Sequence, residues 1–403
     1  MEIAESRLKD LSNIYAANFH AENKYLFSSP GRIEIAGNHT DHNNGRVVAA
    51  AIDLDSLAVV SKNDDMTVNF FSKNLNQFIT VDLNDLQKKA NETGQTSSLI
   101  RGIAYKFITD GYSIGGFDCV VESKVAIGSG LSSSASIEVL IGTIFNNFYN
   151  NDKIKSIEIA KIGQYAENNY FGKPCGLMDQ LAIACGGIVG IDFKDFENPV
   201  VENIKVDFTQ HGYAFVIVET GGSHADLTDD YSSIPSEMKS IANYFNRKTL
   251  RFVNREEIIE NIKELRNKFG DRSILRAFHF LEEDIRAGSL LNMLKNRDFN
   301  LFLNSVNEAG SSSVKWLQNA FSIKDVRHQG ICIALELTEN FIRNKKIRGA
   351  SKVHGGGFAG TILSIIENSF VDEYKTLMKK VFGENAVTQV YVRDSGAAYL
   401  NEL

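Results

Sequence analysis

The chain has 403 residues, of which 43% are hydrophobic and 23% charged, and its formal net charge is −7. This is the balance of a globular protein of two or three domains, and its acidity excludes a surface built for nucleic acid or anionic membrane. It leaves room for a local basic pocket that takes a phosphate.

In chain order, residues 1–23 read as an amphipathic surface helix, and MEIAESRLKDLSNIY lacks the apolar stretch of a signal peptide. Residues 32–36 and 46–61 read as strands, the second rich in β-formers, with short strands at 66–72 and 78–82. The spacing at 97–110 is helical, and 117–125 alternates as a strand. A glycine-serine loop follows, then helices at about 134–149 and 155–169 and a strand at 186–193. The polar stretch FENPVVENIK separates two blocks, so domains of 1–205 and 206–403 are expected. The second block opens with a strand at 213–220, is helix-rich from about 236 to 345, and closes on ASKVHGGGFAGTILSII and a last strand, AVTQVYVR. Strands and helices mix without strict alternation, which is an α+β pattern. No apolar run reaches the roughly 20 residues that span a bilayer. The cysteines Cys119, Cys175, Cys185 and Cys332 form no C-x-x-C pair, so a reducing cytoplasm is expected.

The strongest local signal runs from Val125 through Gly128, Ser129, Gly130, Leu131, Ser132, Ser133, Ser134 and Ala135 to Ser136. Glycines let a backbone approach an anion closely, and the helix that follows offers unpaired N–H groups and a partial positive charge. The serine hydroxyls can cap the helix, bond a phosphate oxygen or reach a metal. The loop is neither a Walker A loop nor G-x-G-x-x-G, since Ser133 stands at the third glycine position.

Two further segments stand out. Ser28-Ser29-Pro30-Gly31-Arg32 through Gly37-Asn38-His39-Thr40-Asp41-His42 to Gly45 is a dense polar cluster after a strand, with donors and acceptors suited to a polyol. A turn, or a metal site of His39, Asp41 and His42, is the other reading. Lys352-Val353-His354-Gly355-Gly356-Gly357-Phe358-Ala359-Gly360 places three glycines before an apolar strand, either a tight turn or a backbone that something approaches closely.

Together the three segments resemble, in order and spacing, the three motifs of the GHMP kinase superfamily, and in detail its galactokinase branch. The first is similar to G-R-V-N-L-I-G-E-H-T-D-Y-N-G-G, the second to G-L-S-S-S-A-S and the third to G-G-G-F-G-G. Ala166-Glu167 before Gly172 to Gln180 resembles A-E-H…G-x-x-C-G-I-M-D-Q, and Arg276-Ala277-Phe278-His279 resembles R-A-R-H. The match departs from the pattern where Glu34 replaces Asn, Ala36 Ile, Asn38 Glu and His42 Tyr, and where Ala126 replaces a proline and Ala359 a glycine.

The resemblance implies a two-domain GHMP kinase fold. It pairs an N-terminal domain like ribosomal protein S5 with a ferredoxin-like, helix-rich C-terminal domain, and its active site lies in the cleft between them. It implies transfer of a phosphoryl group from ATP to the anomeric hydroxyl of a monosaccharide, with galactose leading. N-acetylgalactosamine or another sugar is the alternative, as is a sugar- and ATP-binding sensor without catalysis. Asp179 would be the general base, with Arg32 beside it. Asn38, His39, Asp41, Gly176, Asp179 and Tyr231, the last at the end of the segment from His224, would hold the sugar. Gly128, Gly130, Leu131, Ser132, Ser133, Ser134 and Ala135 would hold ATP, and Ser133 or Ser134 with Glu167 would bind Mg²⁺. Sugar and ATP are the expected partners of a monomer. In the family Asn38 is a carboxylate that accepts a sugar hydroxyl, so position 38 separates galactose from related substrates.

Overall fold

The computed structural model describes residues 4–126, 128, 130–222 and 227–403. Ile127, Ser129, His224, Ala225 and Asp226, which belong to the motif segments above, lie outside the described residues. The chain forms two compact units, one of residues 1–32, 51–187 and 393–403 and the other of 33–50 and 188–392. The sequence reading set a single boundary at 205/206; the packing instead gives the second unit a stretch of the first polar segment.

The first unit opens with α1 (Glu5–Asn18), shorter than the predicted helix, and with the first part of β1 (Tyr25–Ala36). It continues through the later part of β2 (Arg46–Lys62), then β3 (Thr67–Ser72), β4 (Gln77–Asp82), α2 (Thr96–Thr109), β5 (Phe117–Ser123), α3 (Ser133–Asn150), α4 (Ser156–Ala166) and α5 (Met178–Cys185). β2 is buried along nearly its whole length, as a strand covered on both faces must be, which explains its almost continuous apolar sequence. It pairs antiparallel with β5 from Ser56↔Ser123 to Lys62↔Phe117, and β5 pairs in parallel with β3. Leu11, Tyr15, Leu57, Val59 and Val120 form the core under α1.

The second unit holds β6 (Ile188–Asp192), which pairs with Arg46–Ala50 of β2, and β7 (Val200–Ile204), which pairs with β6. β7 lies inside the stretch read as a separator. Then come β8 (Tyr213–Glu219), α6 (Thr228–Tyr244), α7 (Arg255–Glu260), α8 (Ile262–Phe269), α9 (Asp271–Lys295), α10 (Phe299–Ser312), α11 (Gly330–Lys345), β9 (Gly349–His354), β10 (Thr361–Glu367), α12 (Val371–Phe382) and β11 (Val387–Val390). Four strands form an antiparallel sheet in the order β11-β8-β10-β9. One core gathers Val216, Val218, Ile331, Val353, Ile362 and Tyr374, and a second gathers Ile234, Met238, Ile241, Ile274 and Phe280 among the helices. The last strand, β12 (Ala398–Glu402), returns to the first unit and pairs with β1 from Tyr25↔Glu402. Among the described residues, no helix is long and apolar enough to cross a membrane.

Candidate active site

In the first unit the glycine-serine loop joins β5 to α3. Gly128 and Gly130 hold φ of +81° and +72°, a region that side chains rarely adopt. Ser132 shares it, at φ +66°, and occupies the N-cap position of α3 without capping it. Its hydroxyl donates instead to the Asp179 carboxylate. Ser133, Ser134 and Ala135 form the first turn of α3, where backbone N–H groups have no acceptor within the helix.

Glycine brings the middle of β1 against this loop. A Cβ on Gly31 would lie 3.0 Å from the Leu131 carbonyl and 3.1 Å from Val125, and the next residue, Arg32, donates its backbone N–H to that carbonyl at 3.1 Å. The Arg32 side chain is buried. It donates to the Gly130 carbonyl, and its guanidinium forks onto Asp179, Nε to Oδ1 at 2.8 Å and Nη2 to Oδ2 at 2.6 Å.

Asp179 sits in the first turn of α5, where the helix dipole favours a negative charge. Burial pushes its pKa up, but the Arg32 charge and fork, the Ser132 hydroxyl and Lys173 outweigh it and hold the carboxyl below its ordinary value. Its side chain remains 31% exposed, so an ionised acceptor is open to solvent. Gly176, partly exposed, lies just ahead of α5.

Glu167 opens a π-helical turn, Glu167–Phe171, and is buried at 2% exposure. Its Oε1 accepts from Ser134 Oγ at 2.9 Å and from Lys173 Nζ at 3.2 Å. Its Oε2 accepts at 3.0 Å from Gln180 Nε2, which also donates to Glu138 Oε2 at 2.9 Å. Burial, and then the charge of Glu167, push the Glu138 carboxyl well above its ordinary value. Lys173, Glu138 and the role of Gln180 were not singled out from sequence. Lys173 and Gln180 lie inside the Gly172 to Gln180 segment, whereas nothing in the apolar pattern of α3 marks Glu138 as different from a surface acid.

The other predicted residues belong to the second unit. His39, at φ +59°, donates from Nε2 to the Gly356 carbonyl at 2.9 Å, which leaves Nδ1 as its acceptor nitrogen. Burial, and then the neighbouring His42, lower its pKa to about 4, so the ring is neutral. Asp41 begins a 3₁₀ turn, and its Oδ1 accepts from the His42 N–H at 2.9 Å. Tyr231, near the start of α6, donates its hydroxyl to the Gly357 carbonyl at 2.9 Å and packs edge-on against Phe358. Asn38 is buried at 1% exposure and bonds to Glu34, Gly355 and Asn319. The three-glycine run is thus a backbone closely approached, as sequence allowed: a Cβ on Gly357 would lie 2.2 Å from the Asn319 carbonyl and one on Gly356 2.5 Å from the Tyr231 ring.

The fold and the loop define a GHMP kinase. Residues 98–187 match the family model described as the GHMP kinases N terminal domain, and residues 13–62 match the galactokinase galactose-binding signature. The fold is that of Lactococcus lactis galactokinase, solved in complex with galactose, at a TM-score of 0.82 and 24% identity over 98% of this chain and 100% of that one. It is also that of Methanococcus jannaschii mevalonate kinase, at 0.63 and 19% over 93% and 99%. Galactokinase from Clostridium acetobutylicum is 30% identical over 95% of each chain, and that from Glaesserella parasuis is 30% identical over 93% of this chain and 92% of its own. This chain belongs to the galactokinase family.

Proposed function

We propose that the protein transfers the terminal phosphoryl group of ATP to the C1 hydroxyl of galactose, giving galactose 1-phosphate. The observation that carries this reading is the Arg32–Asp179–Ser132 constellation beside the glycine-serine loop, in a chain of the galactokinase family. The ionised Asp179 accepts the hydroxyl proton, and Arg32 orients it and offsets negative charge on the phosphoryl group in transit. Phosphoryl transfer depends chiefly on positioning and electrostatics, so a rigid, charge-balanced pair suits it. Gly128, Gly130 and Leu131 to Ala135 hold the ATP phosphates with backbone N–H groups and hydroxyls at the α3 N-terminus. His39, Asp41, Gly176 and Tyr231 hold the sugar hydroxyls.

Ser134 and Glu167 suit Mg²⁺. Their oxygens lie 2.9 Å apart, the spacing of adjacent ligands in an octahedron with metal–oxygen bonds of about 2.1 Å. Among the described residues no group of three His, Cys, Asp or Glu side chains forms a metal cluster. Mg²⁺ held by Ser134 and Glu167 would take its remaining ligands from nucleotide oxygens and water. Glu167 and Ser134 would hold Mg²⁺, which would neutralise phosphate charge, and Gln180 and the α3 turn keep those two side chains in place.

A coupled assay of ADP release across monosaccharides, with and without Mg²⁺, tests this. Turnover highest with galactose and lost on chelation is expected. Galactose-independent ADP release, or a preference for another sugar, overturns the substrate.

A further inference from the structure

The motif at positions 34–41 differs from the galactokinase pattern by an exchange four residues apart: the pattern carries Asn then Glu, and this chain carries Glu34 then Asn38. The structure gives the exchange a physical meaning. Both amide protons of Asn38 are used inside the protein, on the Glu34 carboxylate at 3.0 Å and 3.3 Å and on the Gly355 carbonyl at 2.7 Å. Its Oδ1 accepts from Asn319 Nδ2 at 2.8 Å, and its own carbonyl accepts from His279 Nε2 at 2.9 Å. With 1% of its surface exposed, Asn38 has neither proton nor area left for a sugar.

Glu34 is fixed in turn. Its Oε1 accepts from Lys352 Nζ at 2.6 Å, in a pair whose side chains are 0% and 4% exposed. Its backbone N–H donates to His354 Nε2 at 3.1 Å. A buried carboxylate survives only when paired and hydrogen-bonded, and Lys352 with Asn38 meets both needs. The chain Lys352–Glu34–Asn38 ends on the backbone of the three-glycine loop. Asn319 adds a second tie to that loop, donating to the Gly356 carbonyl at 3.1 Å, and His39 donates to the same carbonyl.

We propose that Asn38 is a positioning residue and not a sugar ligand: held by the buried Glu34–Lys352 pair, it fixes the loop of His39 against the glycine loop, so the carboxylate and amide at positions 34 and 38 act as one polarity-exchanged unit. The sugar part of this inference rests on the galactokinase reading; the coupling of the two positions does not.

Asn38→Asp separates the roles. A ligand that accepts a hydroxyl gains from the charge, so a ligand at position 38 keeps or tightens sugar binding in N38D. A strut loses both donors and sets a carboxylate against Glu34 and the Gly355 carbonyl. The expected result is a KM for galactose raised about 10-fold or more, a KM for ATP within about 2-fold of the parent, and a lower melting temperature without sugar. Glu34→Gln in the same chain restores donor-to-acceptor polarity and leaves one negative charge near Lys352, so E34Q/N38D recovers both losses relative to N38D. An unchanged or lower galactose KM in N38D, or additive losses in the double variant, overturns the proposal. Asn38→Ala guards against a charge variant that fails to fold: a lower sugar-free melting temperature supports the strut, and an unchanged one refutes it. If the parent does not turn over galactose, the substrate reading fails, and the melting temperatures of the same variants still decide whether positions 34 and 38 form one unit.

Discussion

Arg32 grips Asp179 with two parallel hydrogen bonds, 2.8 Å and 2.6 Å, while its third arm reaches the carbonyl of Gly130 in the glycine-serine loop. One guanidinium therefore holds both the Asp179 carboxylate and the loop. Asp179→Asn keeps the shape but removes the proton acceptor and half of the ion pair. Its kcat is expected to fall about 10²–10⁴-fold, the usual worth of general acid–base catalysis, with the fold retained but the melting temperature lowered, since the buried Arg32 loses its charged partner. Steady-state kinetics beside a thermal scan checks it; activity near that of the parent would remove Asp179 from the chemistry.

Arg32→Lys tests the geometry rather than the charge. Lysine carries the same charge but cannot make the planar fork. Because the guanidinium also holds Gly130, kcat/KM for ATP and for sugar should both drop, by about 10²-fold. If lysine restores most of what Arg32→Ala loses, charge alone is at work and the fork is incidental.

The buried rail of Glu138, Gln180 and Glu167 predicts a metal phenotype. Glu167→Gln removes the negative oxygen beside Ser134, and the apparent Mg²⁺ requirement should rise about 10-fold or more. Gln180→Leu leaves two buried carboxyl groups without their shared donor and should cost about 1–3 kcal/mol of stability. It should also weaken the Mg²⁺ response, as loss of a group that orients a ligand does. Titrating activity against Mg²⁺, and Mn²⁺ binding by EPR without nucleotide, reads both variants. An unchanged metal dependence in Glu167→Gln would move the metal elsewhere.

Much of the fold was legible because its signals are local. The helices at α2 and α3 and the strands at β2 to β4 follow from periodicity within a few residues of where the structure places them. The loop and the Arg32–Asp179 pair were legible because the motifs name their residues directly. What escaped depends on partners distant in sequence. β12 is five residues long and gains its place by pairing with β1 at the other end of the chain. Ser132 has the composition of a helix cap, yet its left-handed backbone turns the hydroxyl to Asp179. The burial of Asn38 is invisible locally as well, because Lys352 and Asn319 converge on it and Glu34 from far along the chain.

Acid should loosen the second unit before carboxylate chemistry begins. Burial, and then neighbouring histidines, lower the pKa of His39 and of His42 from 6.5 to about 4. Asp41 and Glu34 pull His39 the other way without prevailing. The unfolded chain therefore takes up protons between pH 6.5 and pH 4 that the folded one refuses, and stability falls as pH falls through that window. The stabilisation is fully present above the unfolded value. Each ring contributes up to about 3 kcal/mol across the window, at about 1.4 kcal/mol per pH unit. His42→Gln, which cannot be protonated, should flatten the dependence of the urea midpoint on pH between about 6.5 and 5, and at neutral pH should change it far less. A parent whose midpoint is level from pH 7 to 5 would mean that both rings are open to water and titrate as free histidines.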